Sequence, residues 1–350
     1  MNNEKETQQG VTCPLCGHVS NDILYSVSAQ SAAEHMFRYE GTQDEINHLS
    51  EIIIRLWGSD NANMLQCENC RLVFADPFLA GSIEFYSAVY RKASYYPVWK
   101  WDHEMTFRDL YGYLDQNQGK QSGKDKRNPR ILEVGAGNGT FVKKIAEGLF
   151  RKEDILCTEY SDYGNDQIRK LGIRSISGPI QALATNGNEG LFDYICMFQV
   201  LEHMDHLKDQ FEILNQLSRK GTILYITVPS EKYRTFYDRL GRHMDTPPNH
   251  LTRWNHYSFQ KLGERFGWHL TEHHNQSMPY QEKVKRLIFD RLEYHGIFKP
   301  SKWAGKSMPV YRKALLALSA GSIVITHPLA IIRLRDKELG VSQWVKLIRE

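Results

Sequence analysis

Three things are scarce in this 350-residue sequence. Net charge is one. The 44 Lys and Arg against 41 Asp and Glu leave +3, too small an excess to make nucleic acid a main partner, and no specific nucleic-acid contact is expected. An apolar leader is the second. The polar opening MNNEKETQQG has no secretory pattern, which predicts a cytoplasmic, reducing setting. Cysteine is the third, with six in all, and Cys157 and Cys196 read as buried thiols within the apolar runs ILCT and YICMF. The remaining composition is that of an ordinary globular chain, long enough for a full-sized core and two modules.

The other four cysteines form two pairs, Cys13-x-x-Cys16 and Cys67-x-x-Cys70. Two intervening residues let one tight turn aim both thiolates at one ion. Two such turns supply the four sulfurs of a closed zinc site. Unrelated pairs, or a redox pair, are the alternatives. Four thiolates leave no open position, so a zinc site here is structural. Cys16 and Cys67 are separated by 50 residues. Within them DEINHLSEIIIRLWG predicts a helix with Ile46, Leu49, Ile53 and Leu56 on one face.

The segment RILEVGAGNGTFVKKIAEGLF reads strand, loop, helix, with Phe141, Ile145 and Leu149 buried on the helix. Its loop spaces Gly135, Gly137 and Gly139 alternately behind Glu133. Glycines let a ligand approach the backbone, and a helix start offers free N–H groups. An acid ahead of the loop repels phosphate and suits a cation. A second strand, DILCTEY, ends on Glu159, 20 residues beyond Gly139, where a carboxylate can accept both ribose hydroxyls of an adenosine.

ILEVGAGNGTF resembles motif I of the class I S-adenosylmethionine-dependent methyltransferases. FDYICMFQVLEHMDH, GTILYITVP, LGERFGWHL with TEHHNQ, and LGVSQWVKLIRE resemble that family's later elements. The resemblance implies an α/β fold with a Rossmann-like seven-stranded sheet over residues 128–350. It implies that Gly135, Gly137 and Gly139 line the methionine part of S-adenosylmethionine, that Glu133 binds its ammonium and that Glu159 holds the ribose. Tyr160 would pack on the adenine edge, Gln181 would replace the usual acid at the adenine amino group, and Gln199 would sit beside the methionine end. The CPLCG and CENCRLVFADP segments, with PPNHLTRWNHYSF, are similar to those of small-molecule and sugar methyltransferases. That implies a saccharide or a lipid- or nucleotide-linked saccharide as acceptor, and a place in glycan biosynthesis.

An acceptor hydroxyl or carbon acid also needs a base. His203 and His250 are the candidates, since imidazole titrates near neutral pH, and wall or hydrogen-bonding roles are the alternative. Glu202 is expected to fix the loop or the histidine. In sugar C-methyltransferases an acid often precedes the second histidine, whereas here Asn249 precedes His250. A buried Glu–His couple is therefore missing at this pair, and oxygen is favoured over carbon as the acceptor atom. Some quinone-type O-methyltransferases carry E-x-x-E-H, but here Gln199 takes the first place, so no catalytic magnesium is expected. Tyr86 and Tyr90 fall where the family brings tyrosines toward the acceptor. Their aromatic-rich surroundings can equally be packing between modules.

The expected organisation is a zinc-binding module over 1–78, a helical, aromatic bridge with a polar linker over 79–127, and the methyltransferase domain over 128–350. Within the last, 283–335 is a helical insertion before the final strand. Residues 283–313 hold nine Lys or Arg and two acids, and 314–332 carry no formal charge. Pro328 and several polar residues argue against a span. Peripheral contact with the inner membrane face, a cap on its own domain and a homodimer contact remain open. The rival functions are a non-catalytic zinc-binding interaction protein and an RNA methyltransferase.

Overall fold

In a computed structural model, residues 7–37, 41–89, 98–117, 128–184, 191–294, 318, 321 and 332–350 are described. The chain begins with β1 (Thr7–Gln9), β2 (Ser20–Ser28), α1 (Ala29–Phe37), α2 (Gln43–Trp57), β3 (Asn61–Cys67) and β4 (Val73–Asp76). Helix α2 starts where Thr42 and Glu45 form a reciprocal capping box and stops at left-handed Gly58, as N-cap and C-cap chemistry requires. Ile46, Leu49 and Ile53 are buried, joined by Ile52 and Trp57, while Leu56 packs at the edge. The strands form an antiparallel sheet in the order β1-β2-β3-β4-β10. Its last member, β10 (Thr252–Arg253), comes from far along the chain and pairs Thr252 with Phe74.

The bridge contains α3 (Ile83–Val89) and α4 (Trp101–Asn117). There follow β5 (Ile131–Val134), α5 (Thr140–Ile145), β6 (Ile155–Glu159), α6 (Asp162–Lys170), β7 (Arg174–Ser177), α7 (Gln181–Ala184), β8 (Phe192–Phe198), α8 (Leu207–Leu217) and β9 (Ser218–Pro229). After α9 (Glu231–Asp238) and β10 come α10 (His256–Phe266), β11 (Trp268–Asn275), α11 (Tyr280–Tyr294) and β12 (Ser342–Arg349). The second sheet runs β11-β12-β9-β8-β5-β6-β7. All its pairings are parallel except those of β12, which runs against both β9 and β11. Helix α5 is shorter than its pattern suggests. Phe141 and Ile145 are buried, but the chain turns after Ile145, whose carbonyl accepts from the amides of both Leu149 and Phe150.

One face of the central strands shares a core with the cysteine module: Cys13, Leu15, Leu72 and Phe74 pack in one cluster with Leu132, Ile195 and Leu224. The other face carries α4 and α5. Trp344 donates to Thr106 and Tyr225 donates to Asp109, fastening α4 to the sheet. The bridge helix is thus part of the sheet's cover. The ends of the C-terminal insertion close on α9, with Leu287, Leu334 and Leu339 packed against Tyr233, Phe236 and Tyr237. Most of 295–331 lies outside the described residues, and with it most of the segment expected to meet a membrane, a partner or the core. Among the described residues, no helix is long and apolar enough to cross a membrane.

Candidate active site

The strand order reverses between β5 and β8, so a crevice opens at their carboxyl ends, where open α/β sheets bind ligands. The glycine loop fills the floor of this crevice. Gly135 has φ 68°, and a Cβ there would meet Val200 at 2.7 Å. Glycine is therefore required both by conformation and by the close passage of the next loop. Gly164 in α6 lets that helix approach the loop, since a Cβ would lie 2.4 Å from the Gly137 carbonyl.

Glu133 is buried in β5, and Oε2 of its carboxyl has no hydrogen-bond partner. Burial first, and the neighbouring Glu159 second, push its pKa well above the usual carboxylate range. Glu159, at the end of β6, accepts from the Gly137 amide at 2.8 Å and from the Ser161 amide and hydroxyl at 2.9 and 2.8 Å. Its carboxylate ties the two loops together. Three donors against about four acceptor positions leave room for one more. Tyr160 beside it is 70% exposed, open to stack on a flat ligand. Gln181, at the start of α7, holds a buried, unpartnered Oε1, an acceptor suited to an amino group.

Gln199, directly after β8, is left-handed, φ 57°, rare for a residue with a side chain and a common mark of functional sites. Its amide donates to the Thr227 carbonyl at 2.9 Å, and its Nε2 lies 3.3 Å from Asp102 Oδ2. Asp102, from the first turn of α4, is buried with Oδ1 unpartnered, and burial pushes its pKa up to about 6. The sequence reading missed Asp102. Its signal was an acid among aromatic residues, with nothing in the spacing to bring it to Gln199. Burial likewise raises Glu202 to about 8, with Asp245 and Asp102 adding to the effect, and leaves its Oε2 unpartnered. Three buried carboxyl oxygens without donors, on Glu133, Asp102 and Glu202, are costly unless a ligand answers them. A ligand carrying an ammonium and a sulfonium is chemically complementary to such a lining.

His203 and His250 meet edge to face with ring centroids 4.9 Å apart. His203 Nδ1 lies 2.5 Å from the Asn249 carbonyl, which can only accept, so Nδ1 carries the proton and Nε2 keeps a lone pair. Burial, with His250 second, holds the His203 pKa down at about 3. His250 Nδ1 lies 3.1 Å from Asp245 Oδ1. Burial alone would raise Asp245, but Arg253 at 2.7 Å and Arg234 at 3.3 Å hold it well below its usual range. Asp245 is therefore a carboxylate, and His250 donates to it from Nδ1. Arg253 also bonds Asp238 at 2.6 Å and lies 3.3 Å from the Tyr25 hydroxyl, while Tyr25 itself donates to the Asp245 carbonyl. The histidine is thus anchored through Tyr25 to β2 of the first sheet. This arrangement corrects one expectation from sequence: a buried acid–histidine couple is present. The acid comes from position 245 instead of 249, brought round by the turn whose His250 amide bonds the Thr246 carbonyl.

Tyr86 packs beside Phe85 on the core of the first module. Tyr90 lies outside the described residues. The four paired cysteines converge and carry no disulfide, with Cys13 Sγ 3.5 Å from Cys70 Sγ and Cys16 Sγ 3.5 Å from Cys67 Sγ. Both turns use the same device. The amide one residue past the second cysteine bonds back to the first, Gly17 to Cys13 and Arg71 to Cys67, from a left-handed residue each time. All four sulfurs lie within 4.8 Å of one another. The neighbouring thiols hold the Cys67 pKa down and push those of Cys13 and Cys70 up. Such crowding of sulfur suits a soft or borderline divalent cation.

Residues 106–273 match the methyltransferase-domain family. No curated protein matches the chain. Among solved structures, a SAM-dependent methyltransferase from Archaeoglobus fulgidus is 11% identical, with a TM-score of 0.43 over 71% of this chain and 94% of that one. Geranyl diphosphate C-methyltransferase from Streptomyces coelicolor A3(2) is 14% identical, with a TM-score of 0.38 over 69% and 77%. These likenesses are remote, and the assignment stands on the matched segment and on the sheet. With strand order β7-β6-β5-β8-β9-β12-β11, β12 alone reversed, and a glycine loop at the switch point, residues 106–273 lie in a methyltransferase domain whose sheet has the class I S-adenosylmethionine-dependent arrangement.

Proposed function

We propose that this enzyme methylates a small-molecule acceptor, a saccharide or a lipid- or nucleotide-linked saccharide, at an oxygen or an acidic carbon. The observation that carries the reading is a convergence. The acid–glycine cradle of β5 and β6 adjoins the loop after β8 that carries His203 of the oriented histidine pair, since Val200 lies against Gly135. Glu133 would take the cofactor's ammonium, and Gly135, Gly137 and Gly139 would let its methionine part lie against the backbone. Glu159 would hold the ribose through its remaining acceptor position, Tyr160 would cover the adenine, and Gln181 would accept from the adenine amino group. Gln199 and Asp102 would flank the methionine end. When bound, S-adenosylmethionine supplies an already activated methyl group, so the protein mainly orients the acceptor and excludes water. His250, held by Asp245, and His203 offer Nε2 lone pairs toward the acceptor side, where a proton must leave an oxygen or carbon before or during transfer.

The saccharide class rests on the resemblance of the cysteine segments, and zinc in those cysteines is part of the same reading. The preference for oxygen is withdrawn, because its ground was a missing couple that Asp245 supplies. The test incubates the full chain with labelled S-adenosylmethionine and panels of nucleotide sugars and lipid-linked glycans, read by mass spectrometry. A labelled sugar is the expected product. Labelling confined to a non-saccharide panel would overturn the acceptor class, and calorimetry without S-adenosylmethionine binding would overturn the cofactor.

A further inference from the structure

We infer that Glu202, His203 and His250 form a binding site for one divalent transition-metal ion, with a coordination position left open for an acceptor oxygen. One ligand atom from each lies within 4.8 Å of the others, and His203 Nε2 stands 3.9 Å from Glu202 Oε1. Ligands about 2.1 Å from a tetrahedral ion are about 3.4 Å apart, so closure needs only small side-chain rotations. Both imidazoles are already set for it. Metal-binding histidines characteristically donate their second N–H to a carboxylate or a backbone carbonyl, which fixes the tautomer and the ring. His250 does so to Asp245, and His203 to the Asn249 carbonyl. Two independent orienting partners leave an Nε2 lone pair on each ring.

The third member supplies a separate sign. Glu202 is 1% exposed, and its Oε2 meets no donor. A buried carboxyl oxygen without a partner calls for an ion, a water or a ligand. The donor set selects the ion. Two imidazoles and one carboxylate suit zinc, manganese, iron or cobalt, whereas magnesium prefers an all-oxygen shell. Three protein ligands also distinguish this site from the four sulfurs of the cysteine cluster, which close their shell. The position fits acceptor binding, because the trio borders the same crevice as Gln199. That role rests on the methyltransferase reading and would replace direct proton acceptance by the two Nε2 atoms, whereas binding of the ion rests on neither.

The test uses the full chain with its cysteine cluster loaded with zinc, titrated with Co²⁺ and followed by visible absorption. A second equivalent with a nitrogen–oxygen ligand field and no thiolate charge-transfer band is expected. His203→Ala, His250→Ala and the size-conserving Glu202→Gln should each lose it, with folding verified by circular dichroism. Asp245→Asn should weaken it by about 10–100-fold. Absence of a second equivalent in folded wild type, or its persistence in both histidine variants, would overturn the site. Calorimetry with S-adenosylmethionine on the same samples separates the two readings. Cofactor binding without the second ion refutes the metal site alone, and the ion without cofactor binding refutes the methyltransferase function alone.

Discussion

Asp245 Oδ1 stands 3.1 Å from His250 Nδ1, and the same carboxylate is clamped by Arg253 and Arg234. The clamp keeps Asp245 ionised, the ionised acid fixes which nitrogen of His250 carries hydrogen, and the tautomer decides what the crevice receives. Replacing Asp245 by Asn offers an N–H group where only an acceptor stood and can turn the imidazole to the wrong tautomer. Asp245→Asn should lower kcat by about 10²–10⁴-fold while the Kd for S-adenosylmethionine stays within twofold. It should also cost about 3–5 kcal/mol of stability, because two guanidinium groups lose a buried counter-charge. Steady-state kinetics and thermal unfolding check the two parts. Unchanged kcat in folded protein would remove His250 orientation from the mechanism.

Glu133 makes a prediction with two opposite signs. Its carboxyl is buried and pushed well above the ordinary range, so the folded chain keeps this proton to higher pH than the unfolded chain does. Stability present at low pH is then lost as pH rises. Glu133→Gln removes this cost, and the cofactor-free variant should melt higher than wild type at neutral pH, with the gap closing in acid. The same change removes the charge proposed to meet the cofactor's ammonium. Affinity for S-adenosylmethionine should fall roughly 10–100-fold, as expected for a charge-assisted hydrogen bond of about 1.5–3 kcal/mol. A variant that gains stability and keeps full affinity would show that Glu133 does not touch the cofactor.

Asp102 sets a pH window. Its pKa is raised from 3.8 to about 6, so the folded protein keeps its proton where the unfolded chain has lost it. The sign follows from linkage: the stabilising contribution is complete below about pH 4 and disappears as pH rises through about 6, a change of about 3 kcal/mol. A cationic ligand prefers the ionised acid, so the affinity for S-adenosylmethionine should strengthen as pH rises from 5 to 7. Asp102→Asn should flatten that dependence in calorimetric titrations. A wild-type affinity that does not vary across this range would separate Asp102 from the cofactor.

The sheet was legible because its strands are short apolar runs closed by glycine or an acid, and each local pattern agrees with the parallel arrangement. Glu133, Glu159 and the glycines stood out for the same reason, since they lie within one strand–loop–helix unit. Asp102 and Asp245 did not. Each reaches the crevice from a segment whose position depends on tertiary packing: α4 through Trp344 and Tyr225, and the 245–250 turn through Arg253 and Tyr25. No periodicity encodes such encounters. The same holds for β10, whose two residues, Thr252 and Arg253, complete the sheet that β1 begins at Thr7. The shortness of α5 escaped notice because its apolar spacing continues past the point where the backbone stops being helical.

The cysteine cluster and the central strands share one hydrophobic core, so a metal held by the cysteines would be linked to β5 and β8. Cys13, Cys67 and Cys70 pack in the cluster that contains Leu132 of β5 and Met197 of β8. Removing zinc with a strong chelator should therefore loosen more than the first module. A structural zinc site is worth about 10–16 kcal/mol in small peptides. Loss of even about 5 kcal/mol would lower Tm by about 7 °C in a chain of this size. Hydrogen exchange should rise first in β3 and β4 and then along β5 and β8, while β11, which touches the cluster only at its Trp268 end, responds last. Cys67→Ser should reproduce the effect without chelator, and zinc should restore the wild type but not the variant. A chelated chain with no bound metal, an unchanged Tm and undisturbed exchange at β3 would show that the four sulfurs pack as thiols and hold no ion.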